Sequence, residues 1–330
     1  MGALPGRAQQ ASVYGIVRDA YSKEPLPYVN VFLENTTMGD ASDDSGRYVL
    51  ESVPPGFYNL IVSHIGYEMR LLAIQLQPSE KLELDINVLP KPLEGEEVEV
   101  EAPSPEEWEK MYETFREIFV GQTANAKKCR ILNPYVLDLE RDSRSKTLYA
   151  STDSTLRLQN DALGYRIDVI LDHFHWLEDS GSYTVHPRFI EMESETPRQQ
   201  KRWRKARNNL YKRSLRQFLA YIAQDDLPVG YKLFMYATKP MPSYKELSHI
   251  DLNLMCEPVI GQPQAIRFEA ELPLKITHQV YNRPSFLELR YGYIIINRTG
   301  TYYPIDGILL TGYWSTFRMA DTLPRDFVPE

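Results

Sequence analysis

Residues 14–67 read YGIVRDAYSKEPLPYVNVFLENTTMGDASDDSGRYVLESVPPGFYNLIVSHIGY. Apolar and polar residues alternate here over short runs, as they do on half-buried strands, and each run ends at a turn signal. Ser12 to Arg18 makes the first strand, and Tyr28 to Leu33 the second after the turn at Pro25-Leu26-Pro27. Asp43-Asp44-Ser45-Gly46 has the residue types of a hairpin turn and leads into Tyr48-Val49-Leu50. Pro54-Pro55-Gly56 turns the chain again before Tyr58 to Ser63, and Leu82 to Val88 closes the set. Short strands at this spacing predict a seven-stranded, all-β sandwich over residues 11–90.

The turn and strand residues also follow a family pattern. Gly15, Val17 and Asp19 are followed by Pro25, Leu26, Pro27, Val29 and Val31, then by Asp43, Gly46 and Tyr48. Pro54, Pro55, Gly56, Tyr58 and Leu60 come next, and Ile65, Gly66, Tyr67 and Glu68 complete it. This stretch resembles the carboxypeptidase regulatory-like domain family of Bacteroidetes-type bacteria. The resemblance implies a transthyretin-like sandwich of the kind common in secreted and envelope proteins, often at the front of outer-membrane receptors.

The remaining sequence bounds the rest of the molecule. A chain of 330 residues with 43% hydrophobic and 25% charged residues is globular and long enough for two domains. With only two cysteines, Cys129 and Cys256, the core must hold without a disulfide framework. Two unrelated thiols are expected in preference to a bridge. Residues 91–104 are rich in proline and glutamate and read as a linker, leaving 105–330 as a second, α+β domain. The first ten residues, MGALPGRAQQ, look like the tail of a secretory leader, so export to the cell envelope or periplasm is expected. The longest apolar runs are far shorter than the ~20 residues of a membrane-spanning helix.

Two helices stand out in that second domain. Ser104 as N-cap, Pro105 at the first helical position and Glu107 as capping-box partner start one that Gly121 ends. Trp108, Met111, Tyr112, Phe115, Ile118 and Phe119 form its core stripe. The other runs from about 198 to 224, with Trp203, Leu210, Ser214, Phe218, Tyr221 and Ile222 facing inward. Strands are expected around 130–140, 146–150, 155–159, 164–176, 231–237, 266–271, 286–297 and 306–314. This half is similar to an uncharacterised region found behind the regulatory-like module, through stretches such as Cys129 to Pro134, Asn160 to Tyr165 and Trp203 to Phe218. That likeness implies no activity.

The chemistry visible in the sequence is sparse. There is no nucleophile elbow, Walker loop, dinucleotide fingerprint or His-Glu-x-x-His. His175-Trp176-Leu177-Glu178 has the spacing of a zinc carboxypeptidase ligand pair, with His278 as a distant third, but the flanking pattern is missing. His173 and His175 share a strand face without a third ligand, and hydrogen-bonded strand histidines are the expected reading. Asp40, Asp43, Asp44 and Ser45 offer acceptors for Ca²⁺, yet a hairpin turn needs the same residues. No cofactor and no metal site is expected. A transporter barrel of the receptor class needs about 220 residues in strands alone, more than the second half has beside its helices.

Charge singles out one segment. The chain's net charge is −8, which argues against a nucleic-acid partner, yet residues 198–217 carry nine lysines and arginines and no acid. Arg198, Arg202, Lys205, Lys212 and Arg216 are expected on the outer face of the basic helix as a partner site. An envelope protein, an anionic lipid or a glycan would be the counterpart, unless the face is solvated or paired within the chain. Tyr21, Tyr28 and Tyr58 of the sandwich are the expected glycan-stacking residues. The sequence therefore predicts a non-enzymatic, exported envelope protein acting through protein or glycan contacts, accessory to outer-membrane assembly or uptake. A carbohydrate-binding protein and a hydrolase of unknown substrate are the alternatives.

Overall fold

The computed structural model describes residues 10–92, 103–178, 180–228, 230–237, 243–278 and 283–330. It is mostly β-sheet with a few helices, and its chain falls into two compact units. The first holds residues 1–195 and 324–327, the second 196–323 and 328–330. The leader-like residues 1–9 and the body of the expected linker, 93–102, lie outside the described residues.

The first unit opens with two sandwich sheets. Strands β1 (Ala11–Asp19), β2 (Asn30–Leu33), β3 (Gly39–Ala41), β4 (Arg47–Val53), β5 (Gly56–Ser63), β6 (Arg70–Leu76), β7 (Lys81–Glu83) and β8 (Ile86–Val88) follow in order. One sheet pairs β1 with β4 antiparallel and with β7 and β8 parallel; the other runs β3-β2-β5-β6. Where seven strands were expected the structure has eight segments, because the last course, Leu82 to Val88, is interrupted. Between β7 and β8 the Asp85 side chain accepts from the Ile16 amide and takes the place of a ladder bond. Alternate residues Val13, Val17, Val29, Val31, Leu33, Leu50, Leu60 and Val62 point between the sheets and are buried. Each such side chain contributes roughly 1.5–3 kcal/mol. Gly15 is required by packing: a Cβ there would run into the Leu84 carbonyl.

Helix α1 (Pro105–Phe119) starts with the expected capping box at Ser104 and Glu107, and Gly121 beyond its end has φ +102°. Met111, Phe115 and Phe119 are its buried stripe. A sheet follows from β9 (Cys129–Ile131), β10 (Asp138–Arg141), β11 (Leu148–Ser151), β12 (Leu156–Asn160), β13 (Tyr165–Leu177) and β14 (Ser180–Glu191). Strand β13 carries β12 and β11 along one edge and the whole of β14 along the other.

The fold divides after this sheet rather than at the linker, because backbone bonds tie the sandwich to β14. The Asn35 amide donates to the Pro187 carbonyl and the Phe189 amide to Thr36. Arg188 donates to the Gly39 carbonyl. Beneath them His186 Nδ1 lies 2.8 Å from Glu34 Oε1, with 5% and 6% of the two side chains exposed. Asn59 Nδ2 donates to the other Glu34 oxygen at 2.7 Å. Segment 324–327 also packs here: the Asp326 carboxylate accepts from the Thr37 amide at 2.9 Å and from its hydroxyl.

In the second unit the expected single helix from 198 to 224 is two, α2 (Pro197–Tyr211) and α3 (Leu215–Gln224). Ser214 breaks it: its side chain accepts from the Gln217 amide and N-caps α3 instead of continuing the ladder. A third, short helix, α4 (His249–Leu254), comes later. The strands are β15 (Tyr231–Ala237), β16 (Ser243–Glu246), β17 (Cys256–Val259), β18 (Gln262–Glu269), β19 (Leu274–His278), β20 (Ser285–Leu289), β21 (Tyr293–Asn297), β22 (Tyr302–Tyr303) and β23 (Ile308–Gly312). They make one sheet of order β16-β15-β19-β20-β23 and another of order β17-β18-β21-β22. Phe218, Leu219, Leu233, Phe268, Leu274, Ile276, Leu287, Ile294, Ile296 and Trp314 fill the core of this unit.

Candidate functional site

The tyrosines singled out on the sandwich differ in exposure. Tyr58 is half-buried, its hydroxyl donates to the Pro54 carbonyl, and the Arg325 guanidinium lies 5.8 Å from its ring centre. Burial pushes its phenol up to about 12. This residue closes a turn. Tyr21 and Tyr28 are 76% and 69% exposed, and the Tyr28 hydroxyl donates to Asp44.

The acidic cluster serves its own turn. Asp43 Oδ1 accepts from the Ser45 and Arg47 amides, and Asp40 from Ala41. His173 and His175 stack at 5.9 Å and both reach the Ser182 hydroxyl, at 3.3 and 3.4 Å. Among the described residues no three metal-ligating side chains cluster. Cys129 and Cys256 are free thiols. The thiol of Cys256 is pushed up to about 11, chiefly by burial.

The basic segment is divided between two helices. Arg198, Arg202 and Lys205 are exposed on α2, without an ion pair among the described residues, while Arg204 pairs with Glu330 at 3.2 Å. The break at Ser214 takes the other two away from this face. Lys212 is the C-cap of α2, and Arg216 sits on α3, where its Nε donates to the Thr299 carbonyl.

A richer surface lies on the sheet built around β15 and β19. Residues directly opposite across strands share a face, so the register fixes which side chains stand together. Phe234 pairs with Glu246 on one side and Lys275 on the other, Lys275 with Phe286, and Phe286 with Thr311. Tyr236 pairs with Tyr244, and Lys232 with Thr277. These residues form the outer face, while Leu233, Leu274, Ile276 and Leu287 on the inner face are in the core.

The outer face therefore carries four aromatic rings. Tyr236 and Tyr244 are 5.1 Å apart between centres, and Tyr244 and Phe286 6.3 Å. Lys275 Nζ sits among them, 5.1 Å from the centre of Tyr244 and 5.7 Å from that of Phe234. Tyr244 is 43% exposed; Phe234, Tyr236 and Phe286 are half-buried. Neither Tyr236 nor Tyr244 has a hydroxyl partner among the described residues.

Next to the rings opens a cleft of about 230 Å³ lined by Gly230, Lys232, Lys275, Thr277, His278, Arg283 and Pro284. Lys232 is balanced by Glu246 at 3.2 Å. Burial holds His278 below the usual histidine range, so it is neutral at pH 7. Its ring packs edge-on against Tyr231 at 4.4 Å.

This surface is not legible in the sequence, because aromatic residues in strands read as core. The usable signal was the strand Tyr-Lys-Leu-Phe-Met-Tyr-Ala at 231–237, which has large apolar residues on both parities and so cannot bury them all in one core.

Comparison with known proteins matches one part of the chain. Residues 13–100 match the CarboxypepD_reg-like domain family. No curated protein matches the chain. Among solved structures, a DUF3823 family protein from Parabacteroides merdae is 11% identical, with 56% of this chain and 83% of that one covered and a TM-score of 0.22. A type II cohesin-X-dockerin complex from Acetivibrio cellulolyticus is 18% identical over 24% of this chain, with a TM-score of 0.22. The chain spans 58% of the length of that structure. The minor pilin GBS52 from Streptococcus agalactiae is 17% identical over 27% of this chain and 47% of its own, with a TM-score of 0.23. At scores this low the likenesses carry no argument about activity.

Proposed function

We propose that this chain, whose residues 13–100 match the CarboxypepD_reg-like domain family, is a non-enzymatic binding protein that holds glycans on the aromatic face of its second unit. One observation carries the reading: Phe234, Tyr236, Tyr244 and Phe286 stand on one solvent-facing sheet surface around Lys275. Contiguous aromatic groups at a protein surface mark interaction sites. Ring faces pack on the C–H faces of sugars, while the Tyr236 and Tyr244 hydroxyls, which have no partner among the described residues, bond the sugar hydroxyls and the Thr277 oxygen accepts from them. An envelope or periplasmic location belongs to the same proposal and rests on the leader-like start of the sequence.

The test is retention of the full chain on a panel of neutral and acidic polysaccharides, before and after Tyr244→Ala and Phe286→Ala. Binding by the parent and loss by both variants supports the proposal. No retention on any polysaccharide ends it.

A second reading rests on α2. Arg198, Arg202 and Lys205 form an exposed cationic stripe suited to an acidic protein or an anionic membrane surface. No helix among the described residues is long and apolar enough to cross a membrane. Reversing all three to Glu should leave folding intact and abolish capture by anionic vesicles at low salt. Capture unchanged by the reversal removes this reading.

A further inference from the structure

We infer that the sugar bound on this face is acidic, a uronic acid whose carboxylate enters the cleft beside the rings. This rests on the glycan reading above and specifies its ligand. The cleft and the aromatic face are one surface, because Lys275 lines the cleft and also lies over Tyr244 and Phe234. A ring stacked at Tyr244 thus brings its substituents within reach of the cleft.

The charge inside is cationic. Lys232 already has Glu246 as a counter-ion, and His278 is neutral, but Lys275 and Arg283 have no carboxylate partner among the described residues. Of the lining residues, none is acidic. Two like charges on a shared concave surface repel each other and gain from an anion between them. The guanidinium of Arg283 presents paired N–H groups that match the two oxygens of a planar carboxylate. The Lys275 ammonium supplies further donors, while the Thr277 hydroxyl donates to the Lys232 carbonyl. Lys275 is held as well by two ring faces, which orient its charge without neutralising it. The neutral histidine at the cleft wall adds no charge and leaves selectivity to the lysine and arginine.

The experiment uses the full chain and two probes, an oligogalacturonide and its fully methyl-esterified form, measured by calorimetric titration. They share a backbone and differ at one group per sugar residue, a carboxylate in the first and its neutral methyl ester in the second. The acid should bind about tenfold or more tightly than the ester, as charge-assisted bonds lost with the ester require. Raising salt from about 0.1 M to about 1 M shortens the screening length from about 10 Å to about 3 Å and should reduce that preference. Lys275→Met, which keeps the apolar stem over the rings, and Arg283→Gln should each lower affinity for the acid towards that of the ester and leave the ester unchanged. Should Lys275→Met fail to fold, Arg283→Gln decides, since Arg283 is exposed and outside any strand.

Equal binding of acid and ester overturns the inference and leaves the aromatic platform standing. A sulfated glucan that binds while the oligogalacturonide does not overturns the carboxylate assignment. Failure of both forms to bind, with other polysaccharides retained, overturns it too, whereas failure of every polysaccharide removes the glycan reading beneath it.

Discussion

Two sets of aromatic residues, one in each compact unit, are used in opposite ways. In the first, the phenols of Tyr48, Tyr58 and Tyr67 donate to the Leu84 carbonyl, the Pro54 carbonyl and Asp19, so each ring closes a turn or a sheet edge. In the second, Tyr236 and Tyr244 stand beside Phe234 and Phe286 on the outside of a sheet whose other face is already core. Aromatic residues with satisfied hydroxyls and buried rings are structural. Rings left at the surface without that satisfaction are available to a ligand.

The first unit should break where its parts are joined. His186→Ala leaves Glu34 buried with only Asn59 beside it, and removing one member of a buried pair costs about 3–5 kcal/mol. Thermal melting should show a large loss. A change below about 1 kcal/mol would mean that water reaches Glu34 and that the junction with β14 is loose.

The second unit should lose binding without losing stability. Tyr244→Ala removes a ring that is 43% exposed, so glycan affinity should fall about tenfold while unfolding free energy moves by less than about 1 kcal/mol. Tyr58→Phe is the converse control: it should cost about 1 kcal/mol of stability through the lost bond to Pro54 and leave binding unchanged.

A phenol pushed up to about 12 stays neutral in the folded chain over a range where the unfolded chain ionises. Tyr58 therefore favours folding below pH 10 and loses that contribution as pH rises towards 12. Spectroscopic titration of the parent against Tyr58→Phe should show one phenolate fewer appearing in that upper range.

The smallest effect concerns the turn at Asp19 and the capping box at Asp251. Both carboxyls lie below the usual aspartate range, chiefly through the amide of Ser22 for the first and of Ser248 for the second. Folded values lower than unfolded ones mean stability that is present at neutral pH and is lost as acid protonates the folded groups. Asp19→Asn should flatten the fall in stability below about pH 4. An unchanged acid profile would show that this carboxylate is as free in the folded chain as in the unfolded one.

How far these features were legible depends on whether their signal is local. The sandwich could be read because each turn residue, such as Gly46 with φ +72° and Asp43 bonding its own loop, acts within a few positions. The capping box of α1 is equally local. The strand β14 escaped notice because Pro187 and the Ser-Gly-Ser at its start look like loop, yet the Pro187 carbonyl is what receives the Asn35 amide. Ser214 fits helical periodicity and caps a new helix at the same time, and only the backbone decides between them. The aromatic face draws on β15, β16, β19 and β20, and its residues meet only through register, so no window of sequence contains it.

The most direct measurement is calorimetric titration of a retained polysaccharide into two double variants of the full chain. Tyr244→Ala with Phe286→Ala should abolish binding, and Tyr21→Ala with Tyr28→Ala should leave it at the parent's affinity. The reverse pattern, with binding lost on the sandwich variant and kept on the sheet variant, would contradict the placement of the site in the second unit.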